Sequence, residues 1–295
     1  MQKDDHRRHN IDLDFFRQLD RFSFMVKKKV STAYAGSRRS IQSGRGLETI
    51  GYRQYYPGDE FKSIDWNVYA RLEKYYIRKF EEEKSLTTHI LLDTSKSMDY
   101  RSNTTSKFEY GAMLATAFAY LVTKDNDKFA ISPFSEDIIT RKPNRGQKYL
   151  FKNIDLLTKI ELAGKTDIEK SAASYEKAIK SRSVVIIISD FLTDYKEIES
   201  AVFRLSKHDL ILVQVLDKEE AELSFQGNIK LEDAETGDEL NTYISESFKE
   251  EYQDMLSEHV NKIKGICHRF GADFYSFTSD TPVFDSFFYA ISRRK

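Results

Sequence analysis

At 295 residues the chain suits one large α/β domain with an addition, or two small domains. Hydrophobic residues make up 40% and aromatic residues 13%, so a full core is within reach, while 46 Lys and Arg against 47 Asp and Glu leave a formal net charge of -1. That balance gives no global attraction to nucleic acid or to an anionic membrane, and the single cysteine, Cys267, excludes an internal disulfide and suits a reducing compartment.

The opening MQKDDHRRHNIDLDFF is too polar and acidic for a signal peptide, and no apolar run approaches the ~20 residues a membrane span needs. The expectation is a cytoplasmic protein without a membrane span. From Asp12 to Tyr34 the apolar positions Leu13, Phe16, Leu19 or Phe22, Val26 and Val30 recur at helical spacing. GSRRSIQSGRG, residues 36–46, reads as a basic loop whose charges are solvated rather than bound to phosphate. Residues 47–84 hold the only tryptophan, six tyrosines and a Pro57-Gly58-Asp59 turn, with a strand at Tyr75–Phe80. Residues 1–43 are therefore expected to be an arm and helix, and 44–84 a small β-rich platform.

From Leu86 strands and helices alternate, the signature of a mostly parallel sheet. A strand over about 87–93 leads into DTSKS. Ser106-Lys107-Phe108-Glu109 is a capping box that opens a helix to about Val122. Lys128–Ser132 follows as a strand, Asp137–Arg141 as an edge strand and Lys148–Leu157 as a helix. Gly164-Lys165-Thr166-Asp167 turns into another helix. Ser183–Asp190 contains five β-branched residues in a row, as expected of a strand buried on both faces. Asp194–Leu205 is helical, and Leu210–Leu216 is a strand ending at Asp217. Residues 225–240 have hairpin character around Thr236-Gly237-Asp238. Ser247–Phe270 is an amphipathic helix stopped by Gly271, Ala272–Phe277 a last strand and Val283–Ile291 a last helix. Residues 85–295 thus form one α/β domain with a hairpin insertion at 225–240.

Asp93 and Asp190 each end one of these strands. In open α/β sheets ligands gather beyond the carboxyl ends of strands, where strand order reverses. Two carboxylates sharing that crevice resist joint ionisation, and a divalent cation removes the conflict. Ser95 and Ser97 follow Asp93 at alternate positions, and Thr166 adds a third hydroxyl from a separate loop. An all-oxygen set suits a hard ion such as Mg²⁺, which is held at roughly 2.0–2.1 Å and keeps some waters. A plainer reading also exists: Ser and Thr are common helix-entry residues, and Thr166 with Glu169 makes a capping box. The joint pattern of Asp93, Ser95, Ser97, Thr166 and Asp190 favours the metal. No GxxxxGK[ST], GxSxG or HExxH motif occurs, and Gly44-Arg45-Gly46 lacks the strand and helix of a dinucleotide fingerprint. Where a phosphoaspartyl enzyme would want a carboxylate two residues after Asp93, Ser95 stands. His89 lies inside a strand and reads as packing. His259 and His268, nine apart on one helix, make a poor ligand pair, and Cys267 reads as a buried structural thiol.

Asp-x-Ser-x-Ser at 93–97 resembles the start of the metal-ion-dependent adhesion site of von Willebrand factor A-like domains. Residues 44–83 resemble the signature of bacterial domain-of-unknown-function-58 proteins. The matching positions are Gly44-x-Gly46, Arg53, Tyr55-x-Pro57-Gly58-Asp59, Ile64-Asp65-Trp66, Ala70-Arg71 and a strand into Phe80-Glu81-Glu82-Glu83. DTSKSM at 93–98, Leu216-Asp217, Glu219 with Glu220, and Glu235-Thr236-Gly237 match further on, so the likeness spans about 40–290. Thr49 and Lys62 depart from it, where an aromatic and an arginine are common. The resemblance implies a von Willebrand A-like, Rossmann-type, doubly wound sheet with helices on both faces. It also implies a neighbouring MoxR-type AAA+ ATPase. Many members carry N-terminal membrane helices, and this chain resembles the short type without them. By the same resemblance Ser95, Ser97 and Thr166 would touch Mg²⁺ (or Mn²⁺ or Ca²⁺) directly, with Asp93 and Asp190 acting through waters. Such a site is under-neutralised and would seek an acidic side chain on a client protein. The expectation is a non-enzymatic interaction adaptor. The alternatives are a Mg²⁺-dependent phosphoester hydrolase and a scaffold whose metal site is empty. Arg53, Asp59, Asp65 and Arg71 are expected to form an internal ion-pair network rather than a partner-facing surface.

Overall fold

A computed structural model describes residues 39–43, 48–83, 86–232 and 239–293. The helix expected over 12–34 and the turn at Thr236-Gly237-Asp238 lie outside the described residues. These divide into two compact units, one reaching to Leu86 and the other running from Thr87.

The first unit is a three-stranded antiparallel sheet of β1 (Arg39–Ser43), β2 (Glu48–Gln54) and β3 (Tyr76–Glu83), with β3 in the centre. Between β2 and β3 lies the helix α1 (Trp66–Leu72). β1 falls inside the stretch expected to be a loop. Its Gly/Ser/Arg-rich surroundings carry no strand signal, and only the backbone ladder to β3 (Arg39↔Glu83 through Ser43↔Lys79) makes it a strand. Of the expected four-residue ion network, the pair Arg53 and Asp59 is formed. Arg53 forks onto Asp59 with both N–O distances at 2.7 Å, and Asp59 also accepts the Tyr56 N–H. The guanidinium holds the Asp59 carboxyl down at about 2. Asp65 instead caps α1 by accepting the Asn67 and Val68 N–H groups, and Arg71 is exposed in the last turn.

The second unit carries a five-stranded, wholly parallel sheet in the order β10 (Asp273–Thr278), β7 (Asp209–Leu216), β6 (Val184–Ser189), β4 (Thr87–Asp93), β5 (Lys128–Phe134). In chain order its elements are β4 (Thr87–Asp93), α2 (Lys107–Lys124), β5 (Lys128–Phe134), α3 (Gln147–Leu157), α4 (Ile168–Ala178), β6 (Val184–Ser189), α5 (Tyr195–Leu205), β7 (Asp209–Leu216), the short α6 (Lys218–Glu222), the hairpin β8 (Gly227–Glu232) and β9 (Glu239–Ile244), α7 (Glu246–Phe270), β10 (Asp273–Thr278) and α8 (Val283–Ser292). The fold is α/β and Rossmann-like. Every residue of β6 is buried, as its unbroken run of β-branched residues requires, and each such side chain contributes roughly 1.5–3 kcal/mol. The edge strand expected over 137–141 is absent: Ile138 makes one isolated bridge to Phe134, since Asp137 and Arg141 leave nothing to bury on a second face.

Strand periodicity sorts the core onto two faces. Leu91, Ile187 and Leu212 are register partners, and they pack with Tyr175 of α4, Ile198 and Val202 of α5, and Ile263 of α7. Leu92 and Ile188 face the other way, toward α2. There Gly111 allows close approach: a Cβ at that position would lie 3.2 Å from Ile188 Cγ2 and Leu92 Cδ1. β4 leads to β5 on one side, after which the chain crosses to build β6, β7 and β10 on the other. The order therefore reverses between β4 and β6, which is where a parallel sheet opens its crevice.

Candidate functional site

The register that pairs Leu92 with Ile188 brings Asp93 and the end of β6 side by side at that crevice. The result is a continuous chain of oxygen side chains. Thr166 Oγ1 donates to Asp93 Oδ2 at 3.1 Å and Ser189 Oγ donates to the same atom at 2.6 Å. The Ser95 N–H donates to Asp93 Oδ1 at 2.9 Å. Ser95 and Ser97 share a hydroxyl–hydroxyl bond of 3.0 Å, and Ser97 Oγ donates to Asp190 Oδ2 at 3.0 Å. All five residues expected from the sequence are thus linked, directly or through one another, by hydrogen bonds.

Local structure explains how each arrives. Ser95 has extended backbone and sits at the N-cap position of a 3₁₀ turn over Lys96–Asp99 without a side-chain capping bond, and the turn brings Ser97 back toward Ser95. The 163–167 loop is stitched to the 94–96 loop by two backbone bonds, from Ala163 N–H to Thr94 O and from Lys96 N–H to Gly164 O, both 3.1 Å. Gly164 makes the turn possible at φ +79, and a Cβ there would meet Glu136 Oε1 at 3.2 Å. Asp167 takes the N-cap position of α4 by accepting the Lys170 N–H, and the Thr166 hydroxyl donates to Asp93. Just beyond Asp190, Phe191 sits at φ +52, a left-handed conformation that costs a bulky residue roughly 1–2 kcal/mol. Its ring is fully buried and its carbonyl accepts His259 Nε2–H at 2.7 Å, which holds the turn in place.

Asp93 has no exposed surface. Burial first, and the neighbouring Asp190 second, push its carboxyl up to about 6 against the hydrogen bonds from Ser189 and Ser95. A divalent cation bound beside Asp93 would oppose that rise by favouring its charged form. Among the described residues no group of three or more His, Cys, Asp or Glu side chains is disposed to hold a metal. The donor set here is of another kind, two carboxylates with three hydroxyls, and its hard oxygens fit a small divalent cation.

Three residues in this neighbourhood went unnoticed in the sequence as site members. Ser189 is one. Lys107 is another: buried at the first position of α2, its ammonium lies 2.8 Å from Asp190 Oδ2 and 2.6 Å from Glu220 Oε1. Burial opposes the ammonium, but the two carboxylates outweigh it and hold its pKa above the ordinary value. A signal existed, since a lysine in the first helical turn opposes the helix dipole and so needs a compensating partner. Glu220, the third, was noticed only as a family match. Asp217, the other strand-end carboxylate, is committed elsewhere. It caps α6 and also accepts the Ser102 N–H at 2.9 Å and the Ser279 hydroxyl at 3.2 Å. His89 is buried as expected, with Nδ1 2.9 Å from the Tyr175 hydroxyl.

Residues 51–262 match the family described as "Protein of unknown function DUF58". "Uncharacterized protein Rv1480" of Mycobacterium tuberculosis is 23% identical over 275 residues, covering 92% of this chain and 87% of that one. Two solved structures are similar over 71% of this chain. One is the conserved hypothetical protein BatB from Bacteroides thetaiotaomicron, at 16% identity, TM-score 0.43 and 96% coverage of that chain. The other is an aerotolerance-related membrane protein from Bacteroides fragilis, at 15% identity, TM-score 0.46 and 98% coverage. The expectation of a cytoplasmic protein is withdrawn, because the lack of an apolar span does not locate a protein and the similar solved structures include one named as a membrane protein. That expectation rested on the lack of an apolar span, and a domain without a span can still work at a membrane. Among the described residues no helix is long and apolar enough to cross one.

Proposed function

This chain belongs to the DUF58 family, and from that membership and the geometry of the crevice we propose that it is a non-enzymatic, divalent-metal-dependent interaction adaptor of von Willebrand A-like architecture. One observation carries the reading: Thr166, Asp93, Ser95, Ser97 and Asp190, drawn from three separate segments, form one hydrogen-bonded set of oxygens at the switch point of a parallel sheet. Ser95, Ser97 and Thr166 would hold Mg²⁺ (or Mn²⁺ or Ca²⁺), with Asp93 and Asp190 compensating its charge through waters. The bound ion supplies an electrophilic point for a carboxylate donated by an acidic client. The family resemblance supports a MoxR-type AAA+ ATPase as the second partner. Isothermal titration of Mg²⁺ and Mn²⁺ into the protein and its Asp93→Ala variant tests the site. Heat in the first and none in the second is expected, and no heat in either refutes the reading.

A second reading has an observation of its own. Lys107 already compensates Asp190 at 2.8 Å, as a scaffold that never takes an ion would require. Native mass spectrometry from Mg²⁺-containing buffer separates the two, since the scaffold reading expects no bound cation.

A further inference from the structure

The buried ammonium of Lys107 is shared. Its Nζ donates to Asp190 Oδ2 and to Glu220 Oε1, and Asp190 Oδ2 is the same oxygen that accepts the Ser97 hydroxyl. A single carboxylate oxygen thus joins the hydroxyl set to a fixed positive charge. Glu220 lies on α6, whose capping box sends its other oxygen to the Asp217 N–H at 2.9 Å, while the Glu220 carbonyl accepts the Tyr252 hydroxyl of α7 at 2.7 Å. Glu220 is therefore held, and it keeps the ammonium from belonging to Asp190 alone.

We infer that Lys107 is a tethered counter-cation of the candidate metal site, and that Glu220 sets the affinity for a divalent ion by drawing part of the Lys107 charge away from Asp190. The inference rests on the metal reading above and concerns how that site is tuned. A divalent ion entering beside Asp93 meets one carboxylate already paired, and the ammonium repels it. Even at the dielectric of water, a unit charge a few ångströms from a doubly charged ion changes affinity by about tenfold or more. The lysine also compensates one of the two charges that Asp93 and Asp190 bury side by side. Lys107 in this account is a positioning residue that acts through Asp190.

The test is Mn²⁺ affinity of the metal-stripped full chain, by calorimetry or by the Mn²⁺ electron-spin signal. Lys107→Met is expected to bind Mn²⁺ at least tenfold more tightly than the natural protein, and Lys107→Arg to stay within threefold of it. A lysine serving only to hold α2 in place predicts unchanged or weaker binding in Lys107→Met, and that result overturns the inference. Lys107→Met leaves the buried Asp190 and the half-buried Glu220 without their cation and can compromise folding, so Glu220→Gln supplies an independent arm. With Glu220 neutral, the ammonium stays on Asp190 and Mn²⁺ binding should weaken severalfold; unchanged or tighter binding overturns the inference. In the Lys107→Met background the Glu220→Gln effect should shrink, whereas an equal effect in both backgrounds means that Glu220 acts as a distant charge and refutes the sharing. If neither the natural protein nor any variant binds Mn²⁺, the metal reading falls and takes this inference with it. If the natural protein binds and Lys107→Met binds no tighter, only this inference falls.

Discussion

Substituting Asn for Asp93 tests the central claim that a buried carboxylate at the sheet's switch point is held at a cost which a cation relieves. The native carboxyl titrates at about 6, against an ordinary 3.8, because it is buried beside Asp190. A raised native pKa means that the folded state binds its proton more tightly than the unfolded chain. The contribution is therefore fully present below about pH 4 and is lost as pH rises through about 6. About two pKa units at ~1.4 kcal/mol each make that loss ~3 kcal/mol. Asp93→Asn also removes an acceptor used by Thr166 and Ser189, a pH-independent penalty of roughly 1–3 kcal/mol per orphaned donor. His89 complicates the raw profile. Burial holds its imidazole down at about 4 against 6.5, so the protein loses roughly 3 kcal/mol as pH falls across nearly the same window. The two slopes oppose each other, and the natural protein should look nearly flat. The difference between the natural protein and Asp93→Asn cancels His89 and isolates Asp93. Urea unfolding at pH 4.5 and 7.5 in EDTA, followed by far-ultraviolet circular dichroism, gives that difference. Circular dichroism is preferred because Trp66, the only tryptophan, lies in the other unit. The variant should gain relative stability by ~2–3 kcal/mol between the two pH values, and millimolar Mg²⁺ should abolish the gain. A pH-independent difference refutes the buried-charge argument, and a gain that Mg²⁺ leaves untouched refutes the metal.

Other consequences follow from single contacts. Ser189→Ala deletes the 2.6 Å bond to Asp93 and should cost about 1–2 kcal/mol in urea unfolding at pH 7.5, with a smaller loss at pH 4.5 where Asp93 is protonated. Gly164→Ala forces a Cβ onto a φ of +79 and against Glu136. It should destabilise by roughly 1–2 kcal/mol and weaken Mn²⁺ binding by displacing Thr166, so full retention of both properties would show that the 163–167 loop does not place that hydroxyl. The Cys267 thiol, 1% exposed and pushed up to about 12 by burial, should resist a disulfide reagent such as Ellman's at neutral pH until urea unfolds the chain. Rapid labelling of the native protein would contradict its place in the core.

Much of this molecule was legible in the chain itself, because local periodicity and burial carry the same information in a parallel sheet. Val184–Ile188 is apolar without alternation since both of its faces are covered, and Ser106 with Glu109 announces α2 through bonds that span three residues. Asp93, Ser95, Ser97, Thr166 and Asp190 were visible as oxygens at strand ends and in connecting loops, although Asp217, which also ends a strand, caps a helix instead. Pairing and register were not visible. Arg39–Ser43 is a strand because β3 lies beside it, Asp65 caps a helix, and Asp167 rather than Thr166 takes the N-cap position of α4. Lys107 and Ser189 join the site only because β6 stands next to β4 and α2 crosses Leu92 and Ile188 at a glycine. Those neighbours are 83 and 96 residues from Asp190 and Asp93. No local pattern spans such separations, so the charge balance of the crevice was decided by the folded chain alone.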